Sequence, residues 1–220
     1  TMPTNCATTA KEFVETVWNK TVGLAGNLTI SGIGIGAPNG NYYNGCIENA
    51  PNLPWRGRIE LSRMFSEVSG LRAIVTNDAN AAAMGEMKFG GAKGLDHFIY
   101  ITLGTGVGSG IVSGGKMIYG HDGMAGELGH TIVVPGGRSC GCGRRGCLEM
   151  YASVRGIVFT MNELMQANPG VSALETTENL QSKHIYQAAV NGDKLALQAF
   201  DITASVLGIA LANAVAFSSP

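Results

Sequence analysis

The chain has 220 residues, 45% hydrophobic and 14% charged, with a formal net charge of -1 at pH 7. A chain of that length buries a substantial core, and its near-neutral balance gives no electrostatic footprint for nucleic acid or an anionic membrane, so small molecules or proteins are the expected partners. No N-terminal stretch has the basic, apolar and small-residue order of a signal peptide, and Cys6 and Cys46 stand apart without framework spacing, which points to a reducing cytoplasm.

In chain order, KEFVETVWNK (residues 11–20) repeats Phe13, Val14, Val17 and Trp18 at helical spacing and predicts an amphipathic helix. LTISGIGIGAP predicts a buried strand that turns at Pro38. IELSRMFSEVSG sets Leu61, Met64, Phe65 and Val68 on one helical face and stops at Gly70. LRAIVTND follows as a strand, and the alanine-rich NAAAMGEMKFGG predicts a helix that starts just past Asp78. From His97 the pattern changes: HFIYITLGTG, VGSGIVSGG and KMIYG predict a three-stranded meander. Helices follow in SVRGIVFTMNELMQ, SKHIYQAAVNGD and DKLALQAFDITASVLGIALANAVAF. Within the last, LGIALANAVAF is shorter than the roughly 18 residues of a membrane span and is expected to be a buried helix. Strands alternating with helices, then a meander, then helices predict an α/β protein of two lobes, residues 1–93 as a small lobe and 94–220 as a large one. No strand precedes the Lys11 helix and FSSP directly follows a long helix, so first and last strands of the fold are expected to be missing.

Glycines, 32 in all, gather in GIGIGAPNGN, KFGGAKG, GTGVGSG and PGGRSCGCGRRG. The last of these carries cysteines. His130, Cys140, Cys142 and Cys147 make the spacing H-x9-C-x-C-x4-C, the number and kind of ligands that close a tetrahedral zinc site. The alternative is a disulfide or simply buried thiols. Gly141, Gly143 and Gly146 offer no bulk to pack but allow the tight folding that brings thiolates together. Four protein ligands leave no open position, so the ion is expected to be structural. Glu127 and Glu149 flank the cluster, and a metal tying the loop would draw both carboxylates toward one place, where paired acceptors suit the hydroxyls of a polyol. Each glutamate taken singly also reads as a solvated surface charge, as do Arg144 and Arg145.

LGTGVGSG lies between two strands, so neither the dinucleotide fingerprint nor the Walker lysine applies. It is either an ordinary tight hairpin or a turn in which Gly104, Thr105 and Gly106 aim N–H groups and a hydroxyl at a phosphate. Asp78 falls at the carboxyl end of a predicted strand, where ligands meet α/β sheets. It reads as a helix cap or, with Asn77 and Asn80 beside it, as a base that accepts the proton of a hydroxyl attacking a phosphoryl group.

VTNDANAAAMGE, ITLGTGVGSGIV, GHDGMAGELGH and CGCGRRGCLE, in that order, strongly resemble the ROK family of sugar kinases and repressors, and ENAPNLPW resembles its bacterial glucokinases. The resemblance implies a two-lobed actin-like or hexokinase-like fold, each lobe on a ribonuclease-H-like sheet, closing over ATP and a sugar. It implies an ATP:hexose 6-phosphotransferase with Asp78 as general base. Asn77, Glu127, His130 and Glu149 would hold sugar hydroxyls, His130 also binding zinc through its other ring nitrogen. Gly104, Thr105 and Gly106 would form the second phosphate element, with magnesium bridging the nucleotide phosphates. Glucose leads as substrate, with N-acetylmannosamine, N-acetylglucosamine, mannose and fructose open, and a homodimer is expected. The family's first phosphate loop, an aspartate followed by Gly-Gly-Thr, and its glycine-rich adenosine segment are not in these residues, so the chain is expected to be a piece of a longer kinase. The rival within the family is a sugar-responsive repressor, which has no chemical need of a base beside a phosphate loop. A zinc-ribbon interaction module would need a basic face that the chain does not offer.

Overall fold

The structure, a computed structural model, describes residues 9–50 and 53–220, so Cys6 and the Pro51-Asn52 step of ENAPNLPW lie outside the described residues. The chain divides into two units, Thr1–Tyr100 with Gly110–Gly126 and Ile101–Ser109 with Glu127–Pro220.

In the first unit, helix α1 (Ala10–Ala25) begins at Thr9. The Thr9 hydroxyl accepts the Glu12 N–H while the Glu12 carboxylate accepts that of Thr9, a reciprocal cap for donors a helix start leaves open. The helix outruns the expected Lys20 because its last turn exposes Val22 and Leu24, so no buried period marks it. Strand β1 (Ile33–Gly36) is shorter than LTISGIGIGAP predicted. A small antiparallel pair, β2 (Ile47–Glu48) with β3 (Arg58–Ile59), brackets the ENAPNLPW segment and was not foreseen, each strand being too short to alternate. Helix α2 (Leu61–Ser69) ends at Gly70, whose φ of 71° is the left-handed stop the sequence called for. Strand β4 (Ala73–Thr76) runs parallel to β1 in the register Ile33↔Ala73 through Gly36↔Thr76. The pairing ends there, and so does β1. Val14, Ile47, Leu61, Phe65 and Val75 form the core beneath this sheet.

Helix α3 (Asp78–Phe89) follows β4 directly. Strands β5 (Phe98–Leu103), β6 (Val107–Ser113) and β7 (Lys116–Met117) make the expected meander in the order β5-β6-β7, with β7 antiparallel to β6. The chain crosses from one unit to the other inside β5 and again inside β6.

The second unit contains a short 3-10 turn (Leu128–His130) and helices α4 (Glu149–Ala152), α5 (Val154–Ala167), α6 (Ser182–Val190) and α7 (Lys194–Ser218). One core gathers Val107, Leu148, Tyr151, Val206 and Ala210, and a second gathers Ile157, Met161, Ile185, Leu195 and Ala199. Both use the same stripe of α7, while Leu197, Ile209, Leu211, Val215 and Phe217 of that helix are exposed. The expectation of a buried terminal helix is therefore corrected. At 25 residues α7 is also long and apolar enough, by length and composition, to cross a membrane, contrary to the count made on LGIALANAVAF alone.

Asp193 caps α7, accepting the Ala196 N–H at 3.0 Å and the Ser172 hydroxyl at 2.6 Å. Burial alone would raise its pKa, but the Ser172 hydroxyl and the N–H groups of Ala196, Leu195 and Ala173 hold it below the ordinary value. A depressed folded pKa stabilises above the unfolded value of about 3.9, and that contribution is lost as pH falls through the folded value. Asp193→Ala is expected to cost about 0.5–2 kcal/mol in urea unfolding at pH 7. The difference from the parent protein should shrink as the pH is lowered past about 4.

Candidate active site and metal centre

The four sequence-predicted ligands converge. The ligand atoms of His130, Cys140, Cys142 and Cys147 all lie within 4.8 Å of one another. Cys142 Sγ stands 3.6 Å from Cys147 Sγ, and Cys140 Sγ 3.6 Å from His130 Nδ1. A tetrahedral zinc with Zn–S near 2.3 Å sets its ligand atoms about 3.5–3.8 Å apart, so the donor set and its spacing both fit that ion. No disulfide is formed by these cysteines. Nδ1 is the ring nitrogen that faces the thiols, which leaves Nε2 for another partner.

The turns that permit this are specific. Gly143 and Gly146 have φ of 86° and 80°, and a side-chain carbon on Gly146 would collide with the Val134 carbonyl, whereas Gly141 has open space around it and needs no glycine on either ground. Among the thiols, burial opposes ionisation of Cys142, but the Arg144 backbone N–H and the neighbouring Cys140 and Cys147 outweigh it and bring the thiol down to about 6. Burial, then hydrogen bonding with Cys142 and Cys140, pushes Cys147 up to about 12. A cation that takes Cys147 as thiolate must therefore displace its proton at neutral pH.

Backbone pairing places the two flanking glutamate segments side by side. Ile132 bridges Cys147 in antiparallel fashion, and the Leu148 N–H donates to Thr131 O at 2.9 Å. Glu127 opens the short turn that carries His130, whose N–H donates to Glu127 O at 3.0 Å. Glu149 opens α4. Its carboxylate reaches the glycine turn: Oε2 accepts the Val107 N–H at 3.1 Å, and Oε1 lies 3.9 Å from Arg155. A side-chain carbon on Gly106 would collide with that same Oε2, so the glycine is there to let the carboxylate in. Gly104 donates its N–H to Gly106 O within the turn, at 2.9 Å. The Thr105 and Gly106 N–H groups make no such bond among the described residues.

Arg138, which sequence reasoning passed over, fastens the cysteine loop to the helices. It donates to Met150 O at 2.7 Å, Gly156 O at 3.1 Å and Thr160 Oγ1 at 2.9 Å, pairs with Glu163 at 2.6 Å, and stacks 4.4 Å over the Tyr151 ring. All these partners are distant in sequence or on another element, so no local pattern announces them. Arg144 and Arg145 are exposed, as expected.

Asn77 and Asp78 sit in the first unit, at the carboxyl end of β4. Asn77 is the cap of α3, its Oδ1 accepting the Ala79 N–H at 2.8 Å, and Asp78 is the first helical residue, not the residue before the helix. Asp78 Oδ1 shares that N–H at 2.9 Å. The Asp78 side chain is exposed, so the carboxylate keeps accepting capacity. Asn80 is 2% exposed with an unpartnered Oδ1.

The ROK family profile matches residues 2–220. The chain belongs to the ROK family. It is 38% identical to a glucokinase of Streptomyces coelicolor over 220 residues, covering 97% of this chain and 69% of that protein. It is 37% identical to a putative xylose repressor of a Caldicellulosiruptor species, covering 87% of this chain and 48% of that one. Among solved structures it resembles a ROK family glucokinase from Streptomyces griseus in complex with glucose and AMPPNP. That match has a TM-score of 0.79 and 37% identity, over 97% of this chain and 70% of the other. The fold is thus the actin-like, hexokinase-like one of ROK sugar kinases.

Two outcomes are expected. Atomic absorption should find one zinc per chain, its uptake at pH 7 should release protons, and Cys142→Ser should abolish it; retention of a stoichiometric metal by that variant would remove Cys142 from the ligand set. Gly106→Ala should displace the Glu149 carboxylate from Val107 and lower stability by about 1–3 kcal/mol, read from the urea midpoint.

Proposed function

We propose that the protein is an ATP-dependent hexose kinase acting on the 6-hydroxyl, with glucose as the leading substrate. The observation that carries the reading is the Glu149 carboxylate on the Val107 N–H. It makes the cysteine loop, with its polyol-type acceptors, and the glycine turn, with its unengaged N–H groups, parts of one built surface.

In this reading Asp78 accepts the proton of the sugar hydroxyl as that oxygen attacks the γ-phosphoryl group and ADP departs. The carboxylate suits the role because it is exposed at a helix start and shares only one backbone donor with Asn77. Asn77, Glu127, His130 and Glu149 hold the remaining hydroxyls, and Gly104, Thr105 and Gly106 hold phosphate. A neutral acceptor and a charged donor leave the protein mainly positioning and charge stabilisation to provide. His130, Cys140, Cys142 and Cys147 would hold a zinc ion, which would add rigidity to the loop and take no part in the transfer. Magnesium, carried in with ATP, neutralises charge on the phosphates.

Support for glucose comes from the two glucokinases above, each matched over about two thirds of its length. The repressor relative makes sugar sensing without transfer the second reading. Coupled-enzyme detection of ADP with a panel of hexoses and N-acetylhexosamines separates them. Turnover highest with glucose supports the kinase, and sugar binding without turnover supports the sensor. Asp78→Asn should lower kcat by about 10²–10⁴-fold and leave sugar affinity within a few fold. Near-normal turnover in that variant would take Asp78 out of the mechanism.

A further inference from the structure

We infer that Tyr42, stacked on Tyr119 in the first unit, is a platform for a second pyranose ring, so that the acceptor is a glycoside whose terminal hexose offers its 6-hydroxyl to Asp78. The inference rests on the reading of Asp78 as the base for a sugar hydroxyl.

Position is the first argument. The loop that carries Tyr42 leaves β1 beside the base: a side-chain carbon on Gly36 would stand 3.3 Å from Asp78 Cα, and one on Gly40 would collide with the Thr76 carbonyl. The Ala37 N–H donates to that same carbonyl at 2.9 Å. On its other side the stack reaches further along α3, where the Tyr119 hydroxyl donates to Met84 Sδ at 3.7 Å. Met84 lies about 9 Å past Asp78 along the helix axis, at a rise of about 1.5 Å per residue. That is more than the width of one pyranose. A hexose with its 6-hydroxyl at Asp78 leaves Tyr42 to whatever is attached to it.

Rigidity is the second argument. Asn41 is buried, its Nδ2 donating to Asp122 O at 2.8 Å and its Oδ1 accepting the Tyr43 N–H at 3.0 Å. Gly123, with a φ of 86°, makes room for that amide, since a side-chain carbon there would strike it. The Tyr43 hydroxyl donates to Gly120 O at 2.8 Å. The Tyr42 and Tyr119 rings lie parallel within 3°, their centroids 4.2 Å apart, and Tyr43 meets both edge-on. A stack already fixed in place leaves little ordering cost to fall on binding. None of the three rings belongs to the core beneath β1 and β4, and Tyr42 is 40% exposed, with a hydroxyl that has no partner among the described residues.

Chemistry is the third argument. An aromatic face is electron-rich, so it attracts the C–H bonds of a sugar ring and repels a phosphate or carboxylate. Asp122 stands at the rim. Its carbonyl holds Asn41, its Oδ1 accepts the Met124 N–H at 3.1 Å, and the exposed carboxylate keeps capacity for hydroxyl donors. An apolar ligand would use neither that carboxylate nor the Tyr42 hydroxyl, and an anion would meet the carboxylate's charge. A neutral, polyhydroxylated ring uses the aromatic face, the hydroxyl and the carboxylate together.

Isothermal titration compares glucose with cellobiose and maltose, two glucosyl-glucoses that differ from it by the second ring. At least one disaccharide is expected to bind tenfold or more tightly than glucose. Tyr42→Ala should remove that advantage, and Tyr42→Phe, which keeps the stack, should retain it within about threefold. The readout is the ratio of two affinities, which a general loss of folding would not shift, and a thermal melt shows that both variants fold. Glucose bound as tightly as both disaccharides, an advantage that survives Tyr42→Ala, or binding of no sugar would each overturn the assignment. ADP formation separates this result from the kinase reading. Glucose turnover without a disaccharide advantage keeps the kinase and removes the platform; a disaccharide held through Tyr42 without ADP formation keeps the platform as a binding site and removes the kinase.

Discussion

The Glu149 carboxylate on the Val107 N–H is the interaction on which the second unit's candidate site turns. It joins residues 42 apart in sequence, one on a short helix beside the cysteine cluster and the other just after the glycine turn. The bond needs an acidic side chain at the start of α4, a missing Cβ at Gly106, and a chain path past Cys147 that aims α4 at the turn. The Ile132–Cys147 bridge and the Leu148 N–H on Thr131 O fix the last of these. A charge-assisted bond to a backbone N–H is among the stronger kinds, and here it orders a turn that has little apolar burial of its own.

The loop from His130 to Cys147 is held by polar means on both sides. One edge carries the histidine and thiols, and Arg138 ties the other to α4 and α5. Lysine could not replace that arginine, since a single ammonium cannot serve two carbonyls, a hydroxyl and a carboxylate in one plane while lying over the Tyr151 ring. Apolar packing enters mainly beneath, through Leu148 and Tyr151, which pin the loop's end to α7.

Much of this was legible in the sequence. The cysteine cluster, the Gly70 stop, the meander and the strand-to-helix junction at Asp78 all follow from local rules: ligand spacing, a left-handed cap, alternation, and an alanine-rich helix after a strand. What escaped depends on partners far along the chain or on elements too short to show a period. The β2–β3 pair has two residues in each strand, and α4 is a single turn. Arg138 looked no different from Arg144 and Arg145, although it alone is folded inward. The last helix misled because its apolar residues run all round it, and composition does not reveal which side the rest of the chain covers. Asp78 was placed correctly as to strand and helix, but the cap proved to be Asn77, and that distinction frees the aspartate's second oxygen.

The antiparallel bridge between Ile132 and Cys147 closes the cysteine loop at its base, while Ile132 itself is 51% exposed and residues 141–145 face solvent. Apart from Val133 and Val134, which pack on the core around Tyr151 and α7, the loop is held by the Arg138 contacts and by the convergence of His130 with the three thiols, so an ion on that cluster would add to the free energy of opening it. With an ion bound there, the loop's amides would exchange with solvent on a schedule tied to occupancy, and the surface around Glu149 would persist longer between openings while the helices beneath it stay folded.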